Sequence, residues 1–354
     1  MLFSHLAGML LLGLAESILV ASHPGPFSVA MKVKALTDQG RVDPFNATTK
    51  RMVLLSLFWP ILSTANFSED TIPYMAPATA ASYGPLAESA GLPGTLFGSF
   101  QLSFCNPSQQ ATGCRPGKGK VPRFPLVLFS PGLGESRLLY SVTAQSIAAQ
   151  GYVVATVDHP YDAEAVEFPD GSVVRRNWTA GMEQRLTEIR AADITFTLSQ
   201  LSHGTTTTSG ALFPYDQGLL PAQIDSARVI AMGHSVGGAA AFHAVRQDQR
   251  IRGGIDLDGR LNRPLLLLGR GGGGDADARG QGDVDSSFTD LPVLIEALGL
   301  PEEARARVEA MLGVVRGARM QRILVELSSP FSTWAFGGGY RRLVEVAGGL
   351  EEVL

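Results

Sequence analysis

The sequence predicts an α/β protein with a mostly parallel central sheet flanked by helices, and three observations carry that prediction. From residue 124 onward, short apolar runs alternate with segments of helical period. Residues 124–157 alone spell a strand, a helix and a second strand, which is the unit that builds parallel sheets. Further on, the strand ARVIAM (residues 227–232) runs directly into a glycine-flanked serine and a small-residue helix. The bulk composition agrees, because 354 residues at 45% hydrophobic and 18% charged supply a large core. A net charge of −4 without clustered Lys or Arg argues against nucleic acid as a partner.

Taken in order, residues 27–38 (FSVAMKVKALTD) alternate apolar and polar, and residues 50–61 (KRMVLLSLFWPI) form a denser apolar run; both read as antiparallel starting strands. Residues 73–120 are rich in Pro, Gly, Ser and Ala with no sustained period, so an irregular excursion is expected there. FPLVLF (124–129) is a buried strand, residues 136–150 are a helix closed by Gly151, and YVVATV (152–157) is the next strand. Helical spacing covers 182–201, and the strand 227–232 leads into the helix-compatible GGAAAFHAV. Residues 251–258 and 264–268 supply two more strands, with C-terminal helices at 301–315 and 319–328. No repeat of solenoid length appears, so residues 23–354 read as one domain.

The first 22 residues, MLFSHLAGMLLLGLAESILVAS, are apolar and end in small residues, which predicts a secretory leader cleaved near Ser22. Three sequons, at Asn46, Asn66 and Asn177, fit a secreted glycoprotein. Cys105 and Cys114 are the only cysteines and could close a small loop in an oxidising compartment. Two thiols alone cannot make a structural zinc site.

Gly233-His234-Ser235-Val236-Gly237 matches G-x-S-x-G, the nucleophile elbow of the α/β-hydrolase fold, in which a strained strand-to-helix turn lifts the serine clear of the sheet. The tight turn crowds its neighbours, so the flanking positions must be glycine. Ser235 is thus the predicted nucleophile of an ester hydrolase that works through an acyl-enzyme. The oxyanion donors are expected at the backbone amides of Val236, after the nucleophile, and of Leu133, in the loop Ser130-Pro131-Gly132-Leu133-Gly134. Asp258, ending the strand IRGGIDLD, is the preferred triad acid; Asp256 shares its face but lies deeper. All six histidines (5, 23, 159, 203, 234 and 243) precede Asp258, so none follows the acid as the fold's chain order requires.

These residues resemble the platelet-activating factor acetylhydrolases and related secreted esterases. The resemblance runs through GPFSVAMKVKALTD, PYMAPATAASYG, FPLVLFSPGLGESRLLYS, GYVVATVDHPYDA, MGHSVGGAAA, GGIDLDG and SFTDLPVL. It implies Ser235 as nucleophile, Asp258 as acid, Leu133 and Val236 as oxyanion donors, and a short or oxidised acyl ester of a phospholipid as substrate. It implies contact with a lipid surface and no metal or organic cofactor. The family motif H-x-x-F-x-D is matched by Asp285-Ser286-Ser287-Phe288-Thr289-Asp290, so Asp285 stands where the family carries its histidine. Upstream, GRGGGGDADARGQGDV (269–284) is too short and too Gly-rich for the helix and strand expected there, which truncates the last αβ unit. Two readings of that departure stay open: a missing segment that holds the strand and the histidine, or an impaired or non-catalytic relative that binds a lipid or partner. A polyester or triglyceride esterase on the same scaffold is a further alternative.

Overall fold

The structure, a computed structural model, describes residues 17–61, 69–106, 122–203, 224–257, 266–268 and 288–349, less 303, 306, 307 and 309–316. Among the described residues seven strands form the central sheet: β1 (Ser28–Val42), β2 (Lys50–Ile61), β3 (Phe124–Ser130), β4 (Val153–Asp158), β5 (Ile224–His234), β6 (Ile251–Leu257) and β7 (Leu266–Leu268). Their spatial order is β7-β6-β5-β3-β4-β2-β1. The pairs β3/β4, β3/β5, β5/β6 and β6/β7 are parallel, while β1/β2 and β2/β4 are antiparallel.

The strands are apolar on both faces because helices cover both. Successive residues of β3 alternate between two cores: Val127 and Phe129 join one, Leu126 and Leu128 the other. Helices α1 (Ser141–Ala148), α4 (Leu291–Ala297) and α5 (Gly317–Ala335) pack on the first face through Val142, Leu294 and Leu324. Helices α2 (Glu183–His203) and α3 (Val236–Gln247) pack on the second through Ile194, Leu198 and Ala240. A last helix, α6 (Arg341–Gly348), has no buried residue.

Several expectations shift in place. Helix 136–150 begins as a 3-10 turn, Arg137–Tyr140, before α1, and Gly151 closes it at φ 98. Helix 319–328 extends to Ala335 through Pro330, held by Phe331 in the core. The helix expected at 301–315 falls mostly outside the described residues.

The stretch 73–120 is not irregular throughout. Prolines open two short helices, Pro77–Ser82 and Gly84–Ser89. The strand Phe100–Cys105 then pairs antiparallel with Glu69–Pro73 and parallel with Ile18–Leu19. Phe97, Phe100, Leu102 and Phe104 bury against the main core, which fixes this small sheet although Pro and Gly hide its period. Ile18–Leu19 lies within the expected leader, and its neighbour Val20 is 3% exposed, with its amide donating to the Gln101 carbonyl at 2.9 Å. Cys105 is buried, and its expected partner Cys114 lies outside the described residues.

Candidate active site

The elbow is built by steric exclusion. Ser235 has φ 52 and ψ −119, one of two non-glycine residues with positive φ among those described. That conformation is unfavourable for a residue with a Cβ and persists only where the surroundings enforce it. The Ser235 amide donates to the Leu257 carbonyl of β6 at 2.8 Å, and the Ser235 carbonyl accepts from Ala239 at 3.1 Å as α3 begins. A Cβ at Gly233 would overlap the backbone of Gly237 and Gly238, and one at Gly237 would overlap the Ser130 and Pro131 carbonyls. Both glycines of the motif are therefore required by close approach. The second contact also seats the elbow directly against the loop that follows β3.

Ser235, Val236 and Leu133 are each partly exposed at this junction. The Ser235 hydroxyl makes no hydrogen bond among the described residues, nor do the Leu133 and Val236 amides. Ser235, Val236 and the Ser130–Gly134 loop are thus brought together as the sequence predicts. Asp258 lies outside the described residues, one position beyond Leu257, where β6 pairs with the elbow strand. Asp256 is buried with its carboxylate against Gly238 of α3.

Behind the loop, Glu135 accepts from the Gly132 amide at 3.0 Å and from the Tyr140 hydroxyl, while His234 Nδ1 lies 2.7 Å from that hydroxyl and 3.2 Å from the carboxylate. Burial pushes the Glu135 carboxyl up, but the adjacent His234, together with the Tyr140 and Gly132 donors, outweighs it and holds the group below its ordinary value. The Phe288 ring sits over His234 at 6.0 Å between centroids. Phe288 and Asp290 are the Phe and Asp of the H-x-x-F-x-D motif. The Asp290 carboxylate accepts from the Val142 amide at 2.7 Å and the Thr143 amide at 3.0 Å. The motif is thus anchored beside the elbow. Asp285 lies outside the described residues.

His159, one of the six histidines that precede Asp258, follows β4, across β3 from the nucleophile strand, and completes a different array. Its Nε2 is 3.0 Å from Ser130 Oγ and its Nδ1 is 2.9 Å from Asp193 Oδ2. Since a carboxylate only accepts, Nδ1 carries the proton and Nε2 accepts from the serine. Burial pushes the His159 imidazole below its ordinary value, against the pull of the Asp193 hydrogen bond. Arg51 also donates to Asp193, at 2.6 Å and 3.2 Å. Ser130 and Asp193 are 0% exposed and His159 2%, so this constellation is closed to substrate and serves to pin the end of β3.

Sequence reasoning missed Glu135, Tyr140, Asp162, Arg190 and Asp193. One signal was available: Leu186, Arg190, Asp193, Ile194 and Thr197 all fall on the buried stripe of α2, and charges on an apolar stripe mark an internal network.

A mostly parallel sheet covered by helices on both faces, with a strained serine between strand and helix, defines an α/β-hydrolase-fold protein. The chain belongs to the platelet-activating factor acetylhydrolase, isoform II, family, whose model matches residues 15–263. It is 30% identical over 265 residues to a probable 1-alkyl-2-acetylglycerophosphocholine esterase from Arthroderma benhamiae, covering 73% of this chain and 63% of that protein. It is 31% identical over 186 residues to a platelet-activating factor acetylhydrolase from Bos taurus, covering 47% and 41% respectively. The matches therefore span less than two thirds of the length of these relatives. Among solved structures, a ferulic acid esterase from Streptomyces cinnamoneus is similar at TM-score 0.64 and 27% identity, over 90% of this chain and 93% of that one.

Proposed function

We propose that this chain is a serine carboxylic-ester hydrolase that removes short acyl groups from phospholipid-like esters through an acyl-Ser235 intermediate. The observation that carries this reading is the enforced φ 52 of Ser235 at the junction with the Ser130–Gly134 loop. The Ser235 hydroxyl attacks the ester carbonyl, and the Leu133 and Val236 amides donate to the oxyanion of the tetrahedral intermediate. Collapse expels the alcohol, and water then deacylates the serine. Asp258 is the acid that orients the base. Proton acceptance is where this chain departs from its family, because Asp285 occupies the histidine position. A carboxylate with an ordinary value near ~4 is a poor acceptor from an alcohol, so turnover is slow relative to a full triad. Loss of one triad member still leaves about 10³–10⁴-fold over water from the oxyanion hole and binding.

A fluorophosphonate probe followed by peptide mapping tests the nucleophile, with a label on Ser235 expected. A clean null on folded protein overturns the reading in favour of a non-catalytic binding protein. A panel of acetyl, butyryl and long-chain esters tests the substrate, with acetyl preferred.

The reading includes a secreted, glycosylated single domain. Asn177 is exposed and Asn46 partly so, which suits both as acceptors, and Asn66 lies outside the described residues. Because Ile18–Val20 is an integral part of the small sheet, the leader boundary is drawn upstream of Ile18 rather than at Ser22. N-terminal sequencing of the secreted protein, with an endoglycosidase mobility shift, checks both points. Exposed Trp334, Tyr340 and Val344 around α6 support contact with a lipid surface. Co-sedimentation with phosphatidylcholine vesicles tests that contact.

A further inference from the structure

We infer that Arg190 is a positioning residue that sets the direction of the Leu133 amide, the first donor of the oxyanion hole. The inference rests on the hydrolase reading above and assigns the residue through which its transition-state stabilisation is built.

The argument begins with the peptide unit. The carbonyl of one residue and the N–H of the next lie in one plane and point in opposite directions. Whatever holds the Gly132 carbonyl therefore also holds the Leu133 N–H. Arg190 Nη2 donates to the Gly132 carbonyl at 3.0 Å, and Nη1 donates to the Pro131 carbonyl. Two consecutive carbonyls are thus drawn to one rigid guanidinium, which points the Leu133 N–H away from Arg190.

The remaining groups of the loop are pinned as well. The Gly132 amide donates to Glu135 at 3.0 Å and to Tyr140 at 3.1 Å, and the Gly134 amide donates to Asp162 Oδ1 at 3.3 Å. Pro131 has no N–H to donate. Among the described residues, every backbone donor from 131 to 134 is thereby satisfied except that of Leu133. A loop packed in this way normally leaves no donor idle, so one spared amide in the loop that Gly237 packs against is the arrangement a developing oxyanion requires.

Arg190 is itself held. Its Nε donates to Asp162 Oδ2 at 2.6 Å, its Nη2 also reaches Oδ1, and the side chain is 1% exposed. Burial pushes the Asp162 carboxyl up, but Arg190 outweighs it and keeps the group ionised. The same carboxylate also fixes Gly134, so the fork and its counter-ion grip the loop on both sides of Leu133. A planar five-donor fork can hold two carbonyls and a carboxylate at once. A lysine ammonium keeps the charge and loses that geometry.

Arg190→Lys separates positioning from charge, and Arg190→Gln with Asp162→Asn removes the ion pair without stranding a buried charge. Circular dichroism and thermal midpoints establish folding, and each variant is compared with wild type in acetyl-ester kinetics and in inhibition by butylboronic acid, which forms a tetrahedral oxyanion on the serine. Removing an oxyanion donor costs about 10²–10³ in kcat. A comparable loss in kcat is expected in the folded variants, with KM nearly unchanged and boronate affinity falling in parallel. Wild-type kcat in a folded variant, or reduced kcat with undiminished boronate affinity, overturns the inference alone. If fluorophosphonate leaves wild-type Ser235 unlabelled, the hydrolase reading falls and takes this inference with it. Should Arg190→Lys fail to fold, the neutral pair decides by the same measurements.

Discussion

Ser130 and Ser235 leave adjacent strands of one sheet, Ser130 pairing in register with Gly233, yet their surroundings are opposite. Ser130 has an imidazole and a carboxylate in line at 3.0 Å and 2.9 Å, and nothing can reach it. Ser235 has no such partners among the described residues, but it sits strained and partly exposed where the elbow packs on the loop that follows β3. Residue types in series therefore do not define a catalytic serine. Access and an oxyanion site do, and the buried array does structural work with the same three side chains.

The comparison can be broken most sharply at Ser235. Ser235→Ala is expected to abolish phosphonate labelling and acyl-enzyme formation, whereas Ser130→Ala leaves the label in place. Asp285→His is next. Restoring an imidazole to the motif position is expected to raise turnover by about 10²-fold, within the usual contribution of a general base, and to introduce a pH profile rising through neutrality. No gain in a folded Asp285→His variant would show that position 285 lies out of reach of Ser235.

Asp193→Asn acts on the other serine. It leaves Arg51 buried without its main counter-charge and is expected to cost about 3–5 kcal/mol of stability in denaturant titrations, with the labelling rate of folded protein unchanged. Ser130→Ala should cost only about 1 kcal/mol, the net worth of one buried hydrogen bond.

The pH dependence of stability divides along the same line. Asp193, Asp162 and Glu135 are held low in the fold by their cationic neighbours against the upward push of burial, so the unfolded chain binds their protons first. Their stabilisation is complete at neutral pH and is lost on acidification below about 4. His159 is also lowered, by burial, so its loss begins as pH falls below about 6.5. Asp290 has the opposite sign. Burial raises it to about 7, the folded state takes up its proton first, and stability rises as pH falls from about 7 towards about 4. Thermal midpoints from pH 8 to pH 4 should therefore fall less steeply in His159→Asn and more steeply in Asp290→Asn than in the wild type.

Where local pattern and tertiary packing agree, the sequence was legible. Lys50–Ile61 matches its predicted span, and β3 and β4 match to within a residue, because each is an unbroken apolar run bounded by turn residues. The elbow was legible because Gly233 is demanded by a contact close in the chain, against Gly237, although Gly237 itself answers to the distant Ser130 and Pro131 carbonyls. The strand Phe100–Cys105 was not, because its partners are Glu69–Pro73 and Ile18–Leu19 and its pairing leaves no local period amid prolines.

By itself the sequence determined the mostly parallel sheet, the position of the serine turn and the loop after β3 that packs against it. These follow from side-chain periodicity and from steric limits that act within a few residues. Only the tertiary structure decided that His159 serves Ser130 rather than Ser235, that Ile18 belongs to a sheet, and that Arg190 grips the loop from 58 positions away. Such hydrogen bonds join groups distant in the chain. Their partners are chosen by which helix face meets which loop once the core has closed, and no local pattern encodes that choice.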